Sequence, residues 1–204
     1  MRKTALRAAV ALAIASPLVA NAESTFTTGA GTPITAAARL DFQITIPKTL
    51  FLRVGTGTLN ATNATIDLIQ FTVPAANVGN GTAVAGTGGD LTGGTVTAQV
   101  IGNNGTITFT STTAGPIGNG AGDTISYGQI GTTVATLTSA TTLAHPALAD
   151  AATTTVTLTP ASGKVINRDA KWTYSYLNTA VVPPGTYGGV NTQNSRVTYT
   201  ASMP

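Results

Sequence analysis

Apolar side chains in this chain recur at every second position, in short runs that end at Gly, Asn or Pro. Leu40, Phe42, Ile44 and Ile46 alternate with Asp41, Gln43 and Thr45 before Pro47 closes the run. A period of two sends alternate side chains to opposite faces of an extended chain, whereas one face of a helix needs a period near 3.6. The same alternation returns at Leu50, Leu52 and Val54, at Val96, Ala98 and Val100, at Ile107 and Phe109, and at Val156 and Leu158. It returns again at Trp172, Tyr174 and Tyr176, and finally at Val197, Tyr199, Ala201 and Met203. Many short strands with regular turn punctuation predict an all-β chain folded as an antiparallel β-sandwich.

Several finer expectations follow along the chain. Thr65–Val73 starts on Ile66 and Leu68 and then shifts phase to Ile69, Phe71 and Val73, which a β-bulge would accommodate. Ala83–Ala85 is a candidate edge strand. Gly102-Asn103-Asn104-Gly105 joins two alternating runs with residues that tolerate positive φ, so a hairpin is expected there. Leu143–Ala152, around His145-Pro146, is expected to form a short helical turn.

The first residues read as an export leader. Arg2, Lys3 and Arg7 precede the apolar run Ala8–Val19, and Ala20-Asn21-Ala22 has the small-x-small form of a cleavage site. The expected organisation is a signal peptide at 1-22, an N-terminal extension at 23-39 and a single sandwich domain at 40-204. Three of the ten Lys and Arg residues lie in the leader, leaving seven against seven Asp and Glu. The net charge of +3 is therefore no argument for a nucleic-acid or anionic membrane partner. Charged residues make up only 8% of the chain, which does little to discourage self-association. With no cysteine, the core must hold without disulfides and no thiolate metal site exists.

The residues that chemistry would require are sparse. His145 is the one histidine, in an Ala-rich loop, and the seven carboxylates are scattered. Nothing resembles a clustered acid–base, nucleophilic or metal-ligating set, or a phosphate-cradling loop, so the sequence points to a non-enzyme with no catalytic residues, metal or cofactor. Trp172, Tyr174 and Tyr176 are possible ligand-stacking aromatics, although one strand face filling a core accounts for the same spacing. Asn60-Ala61-Thr62 and Asn80-Gly81-Thr82 match a glycosylation acceptor pattern that arises by chance in a Thr- and Asn-rich chain.

In Glu23–Ala38, Phe26, Thr28, Ala30, Thr32 and Ile34 alternate with small or polar residues. The segment reads either as a loose tail or as a detachable strand. Patterning at the other end is equally unusual, since Val197, Tyr199, Ala201 and Met203 carry the period of two almost to Pro204.

Pro184-Gly185-Thr186-Tyr187 leading into Arg196-Val197-Thr198-Tyr199-Thr200 resembles the last hairpin of chaperone–usher pilin subunits, with Gly188–Ser195 as an insertion within it. Leu40–Ile46 resembles their opening strand. The resemblance implies an Ig-like sandwich that lacks one strand and is completed by strand exchange. A periplasmic chaperone and then the N-terminal extension of a neighbouring subunit would fill the gap, with an outer-membrane usher as a further partner. On that reading Phe26, Thr28, Ala30, Thr32 and Ile34 form the candidate donor strand, and Val197, Tyr199, Ala201 and Met203 line the accepting groove. Two functions are expected on these grounds: a structural subunit of a cell-surface fibre, passing through the periplasm, or a self-contained secreted carbohydrate-binding or adhesin module.

Overall fold

The computed structural model describes residues 23–204, and the expected leader at 1-22 lies outside the described residues. The chain divides into two units, 1–46 and 47–204. Within the first, Glu23–Ile46 contains no strand or helix. Residues 40–46 thus belong to the N-terminal unit, not to the sandwich in which the sequence reading included them.

The second unit is all-β, as its alternation requires. Its strands are β1 (Leu50–Val54), β2 (Ile69–Gln70), β3 (Val84–Ala85), β4 (Thr87–Gly88), β5 (Thr95–Gly102), β6 (Ile107–Thr113), β7 (Ile117–Gly118), β8 (Thr124–Ile125), β9 (Ile130–Ala135), β10 (Thr153–Leu158), β11 (Ile166–Tyr176) and β12 (Val197–Ser202). Single 3-10 turns at Ala75–Asn77 and Tyr127–Gln129 are the only helical elements among the described residues.

Two antiparallel sheets carry the unit. In the larger, β5 lies between β1 and β11, while β9 pairs with Lys171–Tyr176 of β11 and β3 with its Ser175 and Tyr176. In the smaller, β6 lies between β10 and β12. Their inward faces share one core. Val96, Ala98, Val100, Ile166, Ala170 and Trp172 come from the larger sheet, and Ile107, Phe109 and Leu158 from the smaller. Phe109 stacks on Trp172 with ring centroids 6.0 Å apart. Residues 143–148 run against this core and bring in Leu143.

The outward face of the smaller sheet explains the scarcity of charge. Cross-strand rows Thr153–Thr112–Thr198, Thr155–Thr110–Thr200 and Thr157–Thr108–Ser202 present only hydroxyl side chains. Threonine suits this surface because its β-branch favours extended backbone while its hydroxyl meets water or a neighbour, as Thr112 and Thr153 do at 2.8 Å.

Tertiary pairing overrides several local expectations. β5 and β6 flank Asn103-Asn104 but lie in different sheets, so the turn is a crossover and not a hairpin. Its asparagines bond elsewhere: Asn103 Nδ2 donates to the Pro47 carbonyl and Asn104 Nδ2 to the main-chain oxygen of Pro204. β11 and β12 are likewise in opposite sheets, so the segment from Pro184 to Thr200 is no hairpin either. Of Thr65–Val73, only Ile69–Gln70 is strand. Ile66 and Leu68 are exposed while Ile69 and Phe71 pack on the core, so the phase shift marks where a loop joins the sandwich and no bulge forms. Leu143–Ala152 contains no helix. Leu143 instead donates its N–H to the Asp169 carbonyl, and its own carbonyl accepts from Trp172 Nε1 at 3.0 Å.

Asp169 closes the adjoining loop. Its carboxylate accepts from the backbone N–H groups of Thr138 and Ser139 and from the Thr138 hydroxyl. Burial alone would raise this carboxyl, but those hydrogen bonds outweigh it and hold the pKa below the ordinary value. The Trp172 contacts set a measurable scale. Trp172→Phe keeps the ring packing but leaves the buried Leu143 carbonyl unpaired, at a cost of about 1–3 kcal/mol. Trp172→Ala is expected to cost about 3–5 kcal/mol, both read from urea unfolding followed by circular dichroism.

Candidate functional site

The last strand, like β1, β9 and β10, pairs on one side only. β12 forms its ladder with β6 from Val197↔Thr113 to Ser202↔Thr108, and among the described residues no strand pairs with its other side. Its exposed positions are Thr198, Thr200 and Ser202, while Val197, Tyr199, Ala201 and Met203 on the inward face are half-buried. Tyr199, Ala201 and Met203 pack on the core without being enclosed by it. Folded proteins commonly blunt a free edge with lysine, proline or a bulge. Val197–Ser202 contains no charged residue, proline or glycine.

Two features hold this edge in place at its C-terminal end. Lys48 Nζ donates to the Pro204 main-chain oxygen at 2.6 Å, beside the bond from Asn104. Met203 lies over Gly102, where a Cβ would sit 3.1 Å from the Met203 sulfur and 2.8 Å from Ile107 Cδ1. A side chain at position 102 would push Met203 off the core. On its unpaired side β12 runs beside β1, the border strand of the larger sheet, which touches it without pairing and turns Leu52 and Val54 towards the core.

Nearer its middle, β12 is tied to the larger sheet by a closed polar triangle. His145 Nε2 lies 2.7 Å from the Tyr199 hydroxyl and 3.2 Å from that of Tyr174, and the two hydroxyls are 3.0 Å apart. The imidazole also meets Trp172 edge-on at 4.6 Å between ring centroids. Burial lowers the His145 pKa to about 4, against the opposing effect of a hydrogen bond with the Pro146 backbone. Burial also raises Tyr174 to about 12 and Tyr199 well above its ordinary value. All three groups are therefore neutral near pH 7. His145 is a structural hub here and not the plain loop residue its sequence context suggested. A shallow cavity of about 310 Å³ beside it is lined by Tyr127, Ile130, Thr132, Val134, His145 and Leu148 among others. That lining offers no carboxylate or activated nucleophile to the imidazole. Among the described residues no three His, Cys, Asp or Glu side chains are grouped to hold a metal.

The aromatics considered for ligand stacking face inward. Trp172 is 0% exposed, and Tyr174 and Tyr176 are buried. Their ring faces are engaged by Phe109, His145 and Phe71, so no stacking platform is available to a sugar.

Phe26, Thr28, Ala30, Thr32 and Ile34 do not lie along one extended strand. Residues 30–33 bend, and the segment returns on itself. The Thr25 hydroxyl donates to the Ala37 carbonyl at 2.8 Å, and the Arg39 guanidinium makes two 2.7 Å contacts with the Glu23 carboxylate. Gly29, Gly31 and Pro33 favour such a bend, and proline would leave a gap in any ladder.

The run that the sequence reading assigned to the core of the sandwich lies in the other unit. Leu40, Phe42, Ile44 and Ile46 are 77%, 85%, 84% and 76% exposed and belong to no strand. The strand expected here does not form: alternation gives the run one apolar and one polar face, but it supplies no partner strand to pair with. No family model matches the chain, nor does any curated protein or solved structure.

The His145 triangle makes stability depend on pH. Because the folded pKa lies below the unfolded value near 6.5, the neutral ring's contribution is complete above that value. It is lost as pH falls towards about 4, with a total on the order of 3 kcal/mol. Urea unfolding between pH 7 and pH 4 should show this loss, and His145→Gln should flatten that part of the profile.

Proposed function

We propose that this chain is a non-enzymatic structural subunit of an extracellular fibre or surface assembly that polymerises by β-strand donation. The observation that carries this reading is the outer edge of β12, which pairs with no strand and carries no charge, proline or glycine, while the inward-facing Val197, Tyr199, Ala201 and Met203 stay partly exposed. An added strand would satisfy the free N–H and C=O groups of that edge, and its alternate side chains would complete the core. The two-sheet antiparallel architecture is compatible with an Ig-like sandwich one strand short. A strand offered by one copy to the edge of the next makes a head-to-tail contact that does not close, and such contacts grow linear assemblies.

The charge-poor Thr surface supports the same reading, because it places little repulsion between packed copies. An edge of this kind also needs cover in transit, and a periplasmic chaperone with an outer-membrane usher is the partner class proposed for that role. The protein would then be exported, pass through the periplasm and end on the cell surface. The alternative of a self-contained carbohydrate-binding module loses its main support with the burial of Trp172, Tyr174 and Tyr176.

The test is to purify the chain beginning at Glu23 and follow its size by light scattering and electron microscopy over a wide concentration range. Linear oligomers that lengthen with concentration are expected. A single monodisperse monomer at every concentration would overturn the reading.

A further inference from the structure

We propose that Asn119-Gly120 is a self-modification site, where the folded chain converts Asn119 to aspartate or isoaspartate through a cyclic imide, with water as the only reactant.

The backbone nitrogen that follows an asparagine can attack the side-chain carbonyl carbon Cγ. A glycine in that place leaves the approach open, because it has no Cβ. Three such pairs occur in the chain: Asn80-Gly81, Asn104-Gly105 and Asn119-Gly120. The engagement of the attacking N–H separates them. Gly81 donates its N–H to the Asn178 carbonyl and Gly105 to the Lys164 carbonyl, each at 2.8 Å. Attack at either would first have to break that bond. Gly120 is exposed and lies in no strand, and its N–H meets no protein acceptor among the described residues.

The carbonyl under attack is held and polarised. Asn119–Asp123 forms the loop between β7 and β8. Asn119 Oδ1 accepts from the backbone N–H groups of Ala121 at 2.8 Å and Asp123 at 3.1 Å. The first bond closes a ring that contains the Gly120 nitrogen, so the side chain folds around the peptide that would attack it. Two converging N–H groups stabilise the negative charge that Oδ1 carries once the nitrogen has added. Asn80 makes the same kind of turn, with its Oδ1 accepting from Thr82 N–H at 2.8 Å, but its nucleophile is tied. Asn104 commits its side chain to the Pro204 main-chain oxygen.

The reaction balances without an oxidant or cofactor. Gly120 N–H gives its proton to hydroxide, and the nitrogen bonds to Asn119 Cγ. The Cγ–Nδ2 bond breaks, and Nδ2 takes a proton from water and leaves as ammonia. Water then opens one of the two imide C–N bonds. Opening at Cγ gives aspartate, and opening at the Asn119 main-chain carbonyl carbon gives isoaspartate. Asn119 Nδ2 now donates to Asp123 Oδ2 at 2.8 Å. Either product removes that donor and adds one negative charge to a chain that carries few.

The test follows the three pairs side by side in the chain from Glu23. It is incubated at mildly alkaline pH, folded and in concentrated urea, and peptide mass spectrometry reads the replacement of an amide by a carboxyl at each asparagine. In urea the three should react at similar rates. In the folded chain Asn119 should keep or exceed its urea rate. Asn80 and Asn104 should fall about fivefold or more below theirs, the effect of one backbone hydrogen bond that must open first. Asn119→Gln, with its longer side chain, should abolish the early acidic species seen by ion exchange. Reaction of folded Asn80 or Asn104 as fast as Asn119 overturns the proposal. So does a rate at folded Asn119 well below its rate in urea, or an acidic species that persists in Asn119→Gln.

Discussion

The two sheets are held together by an aromatic seam centred on Trp172. Its ring stacks on Phe109, meets His145 edge-on and lies 5.4 Å from the Tyr199 ring, while its indole N–H satisfies the Leu143 carbonyl. These four partners come from three separate parts of the chain: β6, the 143–148 segment and β12. With no disulfide to help, this burial of large rings supplies much of the adhesion between layers, since aromatic side chains bury the most area per residue. The polar groups inside it are paired, so little of that gain is lost to unsatisfied donors or acceptors.

The seam also determines what is unfinished. It anchors Tyr199, and through it the middle of β12, so the strand is held firmly although only β6 pairs with it. A strand fixed by its side chains while one side of its backbone stays unpaired would lose little ordering entropy on gaining a further strand. Leu40–Ile46 is the contrasting case, with an apolar face formed by sequence pattern and left exposed.

Much of this was legible in the residues alone. The strands at Leu50–Val54 and Thr95–Gly102, the first part of Ile107–Thr113 and the second half of Ile166–Tyr176 fall where the period of two indicates them, because strand geometry is local; residues 166–170 carry no such alternation and were not legible as strand. Pairing was not legible. Asn103-Asn104 has the local form of a hairpin turn, yet β5 and β6 part into different sheets because β5 pairs more extensively with β1 and β11. His145 gave no local sign of its position between Trp172, Tyr174 and Tyr199, since those partners are distant in sequence.

The sequence by itself determined that the chain is all-β, that its surface is nearly free of charge, and which side chains share a face on each strand. Those properties follow from composition and from a two-residue repeat, which need only neighbours along the chain. Only the tertiary structure decided which faces are covered. Trp172, Tyr174 and Tyr176 are enclosed, Val197, Tyr199, Ala201 and Met203 are half-enclosed, and Leu40, Phe42, Ile44 and Ile46 are not enclosed at all. Identical alternation has three different outcomes because burial depends on the sheet that lies opposite, and a strand's own residues do not specify it.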